Sequence, residues 1–262
     1  MKLFLFLMVW VYAAVGTAND SSYGFSIAEI FTKSRDAYAS LASYSDEGTY
    51  VQHWLGEGTV YFKIKMSRPD LYRVSWVYAS SQIEGVAWSV GSDDFITEDG
   101  GKTVKNEEEK FANIPPKMDR DQIKALSQEE IFSGLYTSTI VPGIFFNTLA
   151  QDNPLYGPSA DEKQLSNEKI GGVDCYVFIG TWKHRKNLTI WIGKSDFLIR
   201  QIKIVKANDV ETAKGLNEAQ DKLRNMIPSL PESNVQPQDT ITIETHLNIV
   251  ANKKFSSDDF LQ

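Results

Sequence analysis

The sequence predicts an α+β fold in which one continuous antiparallel sheet is covered on a single face by helices. Two stretches of alternating apolar and polar residues, 46–105 and 164–205, predict the sheet, and amphipathic segments around and between them predict the helices. Apolar residues make up 42% of the 262 residues, so the chain can bury a substantial core. We therefore expect one folded domain at residues 19–262.

The first eighteen residues have the pattern of a secretory signal peptide. Lys2 precedes an apolar run from Leu3 to Val15, and the small residues Gly16-Thr17-Ala18 follow. This run is shorter than the roughly 20 apolar residues that a helix needs to cross a bilayer. We expect cleavage after Ala18 and export of the mature chain to the periplasm; an uncleaved anchor is the alternative.

A capping box marks the first helix of the mature chain. Ser26 and Glu29 have the spacing at which each side chain can bond the backbone of the other. The pattern predicts a helix over residues 26–42, with one apolar face formed by Ile27, Ile30, Phe31, Tyr38 and Leu41.

Alternation with a period of two predicts a meander of about six strands between Asp46 and Lys105. Residues 60–66 alternate strictly, and residues 72–78 and 86–90 repeat the pattern. Glycines at 56, 58, 91, 100 and 101 lie where hairpin turns need positive φ.

A strongly apolar helical stretch separates the two meanders. It follows a charged loop, residues 107–126, and begins at a second capping box, Ser127–Glu130. We expect Pro142-Gly143 to break this helix and to act as a hinge, since proline cannot continue a helix interior. The whole stretch is a candidate lid that includes Ile131, Leu135, Ile140, Phe145 and Phe146.

The second half of the chain repeats the strand pattern and ends with another strand. Strands are predicted at residues 164–170, 175–182, 188–192 and 197–205, followed by an amphipathic helix at 208–227. A proline-containing linker, residues 228–237, leads to a last alternating strand at 240–250.

Residues 62–74 carry a family resemblance. The run Phe-Lys-Ile-Lys-Met-Ser-Arg-Pro-Asp-Leu-Tyr-Arg-Val resembles the strand, Arg-Pro-x-Leu-aromatic turn and strand of the outer-membrane lipoprotein carrier (LolA/LolB-like) superfamily and its predicted periplasmic relatives (DUF2092-like). The order of the later segments, to Phe260, is also similar. The resemblance implies an incomplete β-barrel closed by helices over an apolar cavity for acyl chains. It further implies that Arg68 helps to set the closed and open states of the lid; a solvated turn residue is the alternative.

The aromatic residues favour wide apolar walls around such a cavity. Aromatics are 12% of the chain, and five of the six tryptophans fall in predicted strands, which is more than a small closed core needs. For any single residue, ordinary core packing is the alternative. The candidate cavity and lid residues are Arg68, Trp54, Phe62, Trp76, Trp88, Phe178, Trp191, Ile131, Leu135, Ile140, Phe145 and Phe146.

No catalytic, metal-binding or cofactor-binding motif stands out. His53, His184 and His246 lack metal-ligand spacing, and the sequence has no GxSxG or phosphate-loop pattern. Cys175 is the only cysteine, so an intrachain disulfide is impossible. The net charge of −7 without basic clusters argues against nucleic acid as a partner. We therefore expect no enzyme activity, no metal and no cofactor.

Three function classes follow from these observations, and the third, an enzyme that uses scattered carboxylates and histidines, is disfavoured because no recognisable site supports it. The first is a periplasmic carrier that binds lipid, acyl chains or lipoproteins in an apolar cavity. The second is a periplasmic sensor or adaptor that uses the same scaffold to bind a protein partner, such as a membrane-anchored protein. The scaffold alone does not decide between them.

Overall fold

The computed structural model describes residues 24–53, 57–90, 93–98, 104–105, 140–147, 153–155, 161–182, 186–207, 209–227, 229, 232 and 234–261. The predicted signal peptide, the 107–126 loop, the second capping box, Trp54, Ile131 and Leu135 lie outside the described residues.

The described strands form one antiparallel sheet. The strands are β1 (Ser43–His53), β2 (Glu57–Ser67), β3 (Leu71–Tyr78), β4 (Glu84–Val90), β5 (Asp93–Glu98), β6 (Val104–Lys105), β7 (Lys163–Ile170), β8 (Val173–Trp182), β9 (Lys186–Gly193), β10 (Ile199–Lys206) and β11 (Thr240–Ala251). Their order in the sheet is β6-β5-β4-β3-β2-β1-β11-β10-β9-β8-β7, so the last strand joins the two meanders by lying between β1 and β10. Among the described strands no pairing joins β6 to β7, and the sheet stays open, as an incomplete barrel. The predicted continuous sheet is confirmed.

Three α-helices and a 3-10 turn accompany the sheet in the described part of the chain. They are α1 (Ile27–Ser40), α2 (Ile140–Phe146), α3 (Val210–Met226) and the turn Ser257–Phe260. The predicted capping box of α1 is present, since the Glu29 N–H donates to Ser26 Oγ at 3.3 Å and the Ser26 N–H donates to Glu29 Oε2 at 2.7 Å. None of the helices of the described residues is long and apolar enough to cross a membrane.

The predicted break at Pro142-Gly143 is wrong. Both residues lie inside α2, as its third and fourth residues. Proline is tolerated there because the first turn of a helix has N–H groups without intrahelical acceptors, so the missing proline donor costs no bond. A hinge at these residues stays a prediction.

One face of the sheet, which we call the inner face, carries the main core. In β2 the even-numbered residues from Val60 to Met66 are buried, and their odd-numbered neighbours are more exposed. Inner-face side chains from β5 at one side to β8 at the other join a single cluster with α1 and α2. Because α1 contacts strands as far apart in the sheet as β1 and β8, the sheet is curved around it.

Glycines let two large rings lie flat on the inner face. Across β1 to β4, Gly48, Phe62, Trp76 and Gly85 form one row of paired residues. A Cβ atom at Gly48 would lie 2.6 Å from the Phe62 ring, and one at Gly85 would lie 2.0 Å from the Trp76 ring. The two rings therefore occupy the volume that side chains would take at Gly48 and Gly85. Because the rings lie close to the sheet, the helices can pack directly above them.

The other face, the outer face, is partly covered by the C-terminal segment. Phe260 of the 3-10 turn is 1% exposed and packs on Phe255, with ring centroids 5.6 Å apart. Lys65 of β2 pairs with Asp259 at 3.6 Å, and Arg73 of β3 donates to the Leu261 carbonyl at 2.8 Å. This corrects the expectation that only one face of the sheet is covered.

Candidate functional site

Several of the predicted cavity residues do come together. They belong to the inner-face cluster or pack against it, although they come from three strands and α2. The apolar surface that they form contains Phe62, Trp76, Phe178, Ile140, Phe145 and Phe146.

Two predicted cavity tryptophans lie on the outer face instead. Trp88 stacks on Phe95, with ring centroids 5.4 Å apart, while its neighbour Ala87 belongs to the inner-face cluster. Trp191 packs in a separate cluster with Val177, and its Nε1–H donates to Glu168 at 2.8 Å. The expectation that these two rings line the cavity is wrong. The strand of Trp191 is apolar on both sides, so its alternation does not tell which side is the inner one. In β4 the larger apolar residues, Val86 and Trp88, are on the outer face, because Gly85 on the inner face makes room for the Trp76 ring.

The inner face is covered by α1 and α2, which we call the cover. Residues 30, 31, 34 and 38 of α1 are buried, at the spacing of one helical face. Phe31 packs on Phe178 of β8 with ring centroids 5.2 Å apart, and Phe145 packs on Tyr44 of β1 at 6.4 Å. Six of the seven residues of α2 are buried. The two helices themselves therefore cover the apolar surface.

Arg68 fastens the cover at its edge. It lies in the turn between β2 and β3, where the Arg68-Pro69 peptide is cis. Its Nε–H donates to the Leu41 carbonyl at 2.9 Å, and its Nη2 donates to the carbonyls of Tyr38 at 3.3 Å and Phe145 at 2.6 Å. These carbonyls lie at the C-terminal ends of α1 and α2, where helices leave acceptors unpaired and favour cations.

The guanidinium of Arg68 also packs on the cover. Its central carbon lies 4.7 Å from the centroid of the Phe145 ring. Part of the side chain is exposed at the rim of the site. The interpretation of Arg68 as merely a solvated turn residue is therefore wrong, because its charged end holds two helices together.

A pocket of about 370 Å³ opens beside this fastening. Its lining includes two arginines, Arg68 and Arg35, and two asparagines, Asn147 and Asn153. Arg35 is held in place by bonds from its guanidinium to the Leu155 carbonyl and, at 2.8 Å, to Thr32 Oγ1. The remaining described lining residues are Ala39 and Ile144.

A buried ionic cluster lies on the inner face where the two meanders meet. His246 of β11 is fully buried, with Nδ1 2.5 Å from Asp46 Oδ2 and Nε2 2.7 Å from Glu244 Oε1. Burial lowers the pKa of His246, but the charges and hydrogen bonds of Asp46 and Glu244 outweigh it and raise the pKa to about 9. The ring is therefore protonated at neutral pH and donates from both nitrogens.

Tyrosine side chains surround this cluster. Tyr44 O–H donates to Asp46 Oδ2 at 2.7 Å, and burial followed by the Asp46 charge raises the Tyr44 pKa well above its usual range. Burial likewise raises the pKa of Tyr38, whose hydroxyl accepts the Ile199 N–H at 3.1 Å. Both tyrosines are thus neutral hydrogen-bonding groups in the core.

The arrangement has the groups for binding more clearly than those for catalysis. Within the described parts of the chain, no group of three or more His, Cys, Asp or Glu side chains is arranged to hold a metal ion. Both nitrogens of His246 are occupied by carboxylates, so the ring does not face a substrate space. Cys175 is buried on the outer face, and burial raises the pKa of its thiol.

Sequence reasoning missed Arg35 and the His246 cluster. Arg35 lies on the polar side of an amphipathic helix, where nothing in the pattern distinguishes it from other solvated charges. Asp46 and His246 are 200 positions apart and meet only because β11 pairs with β1. The one available signal was the alternation of β11, which places His246 and Glu244 on the same face.

Fold and site together define an open antiparallel sheet whose inner apolar face is closed by a fastened helical cover. No family model and no curated protein matches the sequence. Similar solved structures include a LolA superfamily protein from Nitrosomonas europaea, at 10% identity and TM-score 0.33, over 91% of this chain and 99% of that chain. LprF from Mycobacterium bovis is 11% identical with TM-score 0.45, over 87% of this chain and 94% of that chain.

A third similar structure is the MucA/MucB complex from Pseudomonas aeruginosa, at 10% identity and TM-score 0.36, over 90% of this chain and 60% of that chain. Since each of these TM-scores is below 0.5, the function is inferred from the residues of this chain alone.

Proposed function

We propose that this chain is an exported binding protein that holds the acyl chains of a lipid or lipoprotein against its inner face, beneath the cover. The observation that best supports this is the fastening: one side chain, Arg68, bonds the C-terminal carbonyls of both covering helices. Releasing these bonds costs no strand-to-strand hydrogen bond. The cover can therefore move while the sheet stays folded.

The chemistry of the inner face suits acyl chains. Its cluster consists of aliphatic and aromatic side chains, and α1 and α2 supply apolar groups to the same cluster. An acyl chain that replaces a helix side chain keeps the inner face away from water and gains about 0.8 kcal/mol for each buried CH₂ group. Exchange of helix contacts for ligand contacts therefore carries a small net cost.

Export to the periplasm is part of the proposal. It is supported by the signal-peptide pattern of residues 1–18. An apolar cargo that crosses an aqueous compartment needs a protein that shields it from water, and a covered apolar surface meets that need. No catalytic step is included.

Dye binding and cargo analysis test the proposal. The mature protein should raise the fluorescence of N-phenyl-1-naphthylamine, and fatty acid or phospholipid should displace the dye. Organic extracts of the purified protein should contain lipid by mass spectrometry. Circular dichroism shows whether the sheet is intact. If the protein has an intact sheet and does not bind the dye, the proposal is overturned.

Two substitutions on one strand provide a matched comparison. Ala87 of β4 is fully buried on the inner face, and its neighbour Val86 points to the other side. Ala87→Phe adds bulk to the inner face and should weaken dye binding, whereas Val86→Phe should leave it near the wild-type value. Overpacking costs about 1–3 kcal/mol, so the thermal stability of both variants must be measured alongside.

A second candidate, an adaptor for a protein partner, is favoured by the edge of the sheet at β7. Seven of its eight residues are exposed, among them Leu165 at 42%. Strands at sheet edges offer unpaired backbone groups to a strand from another protein. Binding of a membrane-anchored partner by protein that neither carries lipid nor binds the dye would favour this candidate over the first.

A further inference from the structure

The pocket beside Arg68 bears on which ligands the protein selects. We infer that it is a subsite for an anionic head group, a carboxylate or a phosphate, of the amphiphile whose chain lies against the inner face. The inference rests on the proposed function and names the substrate class within it.

The lining chemistry is one-sided. Of the six described residues that line the pocket, two are arginines, two are asparagines and two are apolar, and none of the six carries a carboxylate. Arginine stays charged at every accessible pH, and its planar donors fit carboxylate and phosphate oxygens. The side-chain amides of Asn147 and Asn153 each have a hydrogen-bond donor and a hydrogen-bond acceptor. The two arginines among the described lining residues therefore favour an anion over a neutral or cationic group.

Both guanidinium groups are positioned before a ligand arrives. Arg35 is fixed by its bonds to the Leu155 carbonyl and to Thr32. Arg68 bonds the cover through Nε and Nη2, and none of its contacts with the described residues uses Nη1. The two N–H groups of that nitrogen are available to a ligand. Preorganised donors of this kind reduce the ordering cost of binding.

The size and position of the pocket fit a head group rather than a chain. A volume of about 370 Å³ is at the lower end of small-molecule sites, too small for a complete lipid. Ile144 lines the pocket and also belongs to the inner-face cluster. An anion held by the arginines would thus have its apolar chain directed to the place where α2 meets the sheet.

Head-group binding and opening of the cover are linked through Arg68. A charged acceptor forms hydrogen bonds about twice as strong as those of a neutral carbonyl. A carboxylate or phosphate bound first at Nη1 can therefore also draw the same guanidinium away from the carbonyls of Tyr38, Leu41 and Phe145. An ionic amphiphile therefore loosens the cover as it binds. A neutral amphiphile of equal length does not.

The test compares dodecanoic acid with its methyl ester in dye displacement at pH 8 and low salt, where the acid is ionised. We expect the acid to bind about tenfold more tightly than the ester, the factor for one charge-assisted hydrogen bond. Arg35→Gln should bring the ratio close to one, and Arg35→Lys should keep part of it. Arg224→Gln is the matched control, since Arg224 lies on α3 and pairs with Glu232 at 3.2 Å. Thermal unfolding confirms that each variant is folded.

Separate arms distinguish the source of the anion. Acetate and inorganic phosphate should weaken binding of the acid and leave the ester unchanged, and phosphatidylglycerol should displace the dye better than diacylglycerol does. Equal affinity for acid and ester, or a preference that survives Arg35→Gln, would overturn the head-group subsite and leave the proposed function standing. Failure of every amphiphile to bind folded protein would overturn the proposed function itself.

Discussion

Arg68→Met separates the fastening of the cover from the stability of the sheet. Methionine keeps an unbranched apolar stem and removes every donor that bonds the carbonyls of Tyr38, Leu41 and Phe145. Hydrogen bonds from a charged group contribute about 1.5–3 kcal/mol each in buried sites. Here one bond is long, at 3.3 Å, and Arg68 is partly exposed, so water replaces much of what is lost. We expect the closed cover to lose about 1–2 kcal/mol, not the sum of three bonds.

Hydrogen exchange measures this loss directly. A change of about 1–2 kcal/mol corresponds to about 5- to 30-fold faster exchange, since about 1.4 kcal/mol is a factor of ten. The acceleration should be confined to the amides of α2 and the last turn of α1. Amides in the central strands β1, β2 and β11 should exchange at the wild-type rate. The dye should associate faster with the variant, because the cover opens more often.

Arg73→Met is the control for this experiment. Arg73 lies on β3, close to the same turn, but its guanidinium bonds the Leu261 carbonyl on the outer face. Its replacement should leave exchange in α2 unchanged. If Arg68→Met does not accelerate α2, or accelerates the central strands equally, Arg68 does not fasten the cover and the reasoning is refuted.

Two further predictions concern the core. The folded-state pKa of His246, about 9, lies above its unfolded value near 6.5, so its contribution of about 3 kcal/mol is fully present below pH 6.5 and is lost as the pH rises through 9. Urea unfolding across this range, with NMR titration of the ring, checks this, and a ring that titrates near pH 6.5 would contradict it. Gly85→Ala should cost about 1–3 kcal/mol, because the new Cβ would lie 2.0 Å from the Trp76 ring. Gly58→Ala, whose nearest atom is 4.0 Å away, should have little effect, and equal losses in both variants would refute the packing argument.

The parts of the fold that could be predicted from the sequence are those that depend on local residue patterns. The capping box at Ser26 and Glu29 predicts where α1 begins, and the structure has both of its hydrogen bonds. Alternation predicts the strands on either side of the middle segment because successive side chains point to opposite faces. The helix at 208–227 and the last strand at 240–250 are likewise found, as α3 and β11.

The site could be predicted only in part, because it depends on which face of the sheet becomes the inner one. Phe62 and Trp88 both lie in alternating strands, yet the first lies on the inner face and the second on the outer face. Nothing local distinguishes them, since the C-terminal segment gives the outer face its own apolar partners. Arg68 was found through its turn motif. Arg35 had no motif, and its place beside Arg68 follows from how α1 crosses the sheet.

The proposed function needs a cover that moves over a sheet that stays folded, and the His246 cluster supplies strong bonds within the sheet. β11 is the only described strand that joins the two meanders, and His246 links Asp46 on β1 to Glu244 on β11 at that junction. Removing one member of a buried ionic group costs about 3–5 kcal/mol, so the junction resists separation and shifts of register. The fastening at Arg68 is weaker, partly exposed and confined to the rim. The cluster meets the cover through apolar contact, where the Tyr44 ring packs on Phe145. In the proposed function, opening at Arg68 therefore needs no bond of the junction to break, and the apolar surface keeps its shape for a ligand.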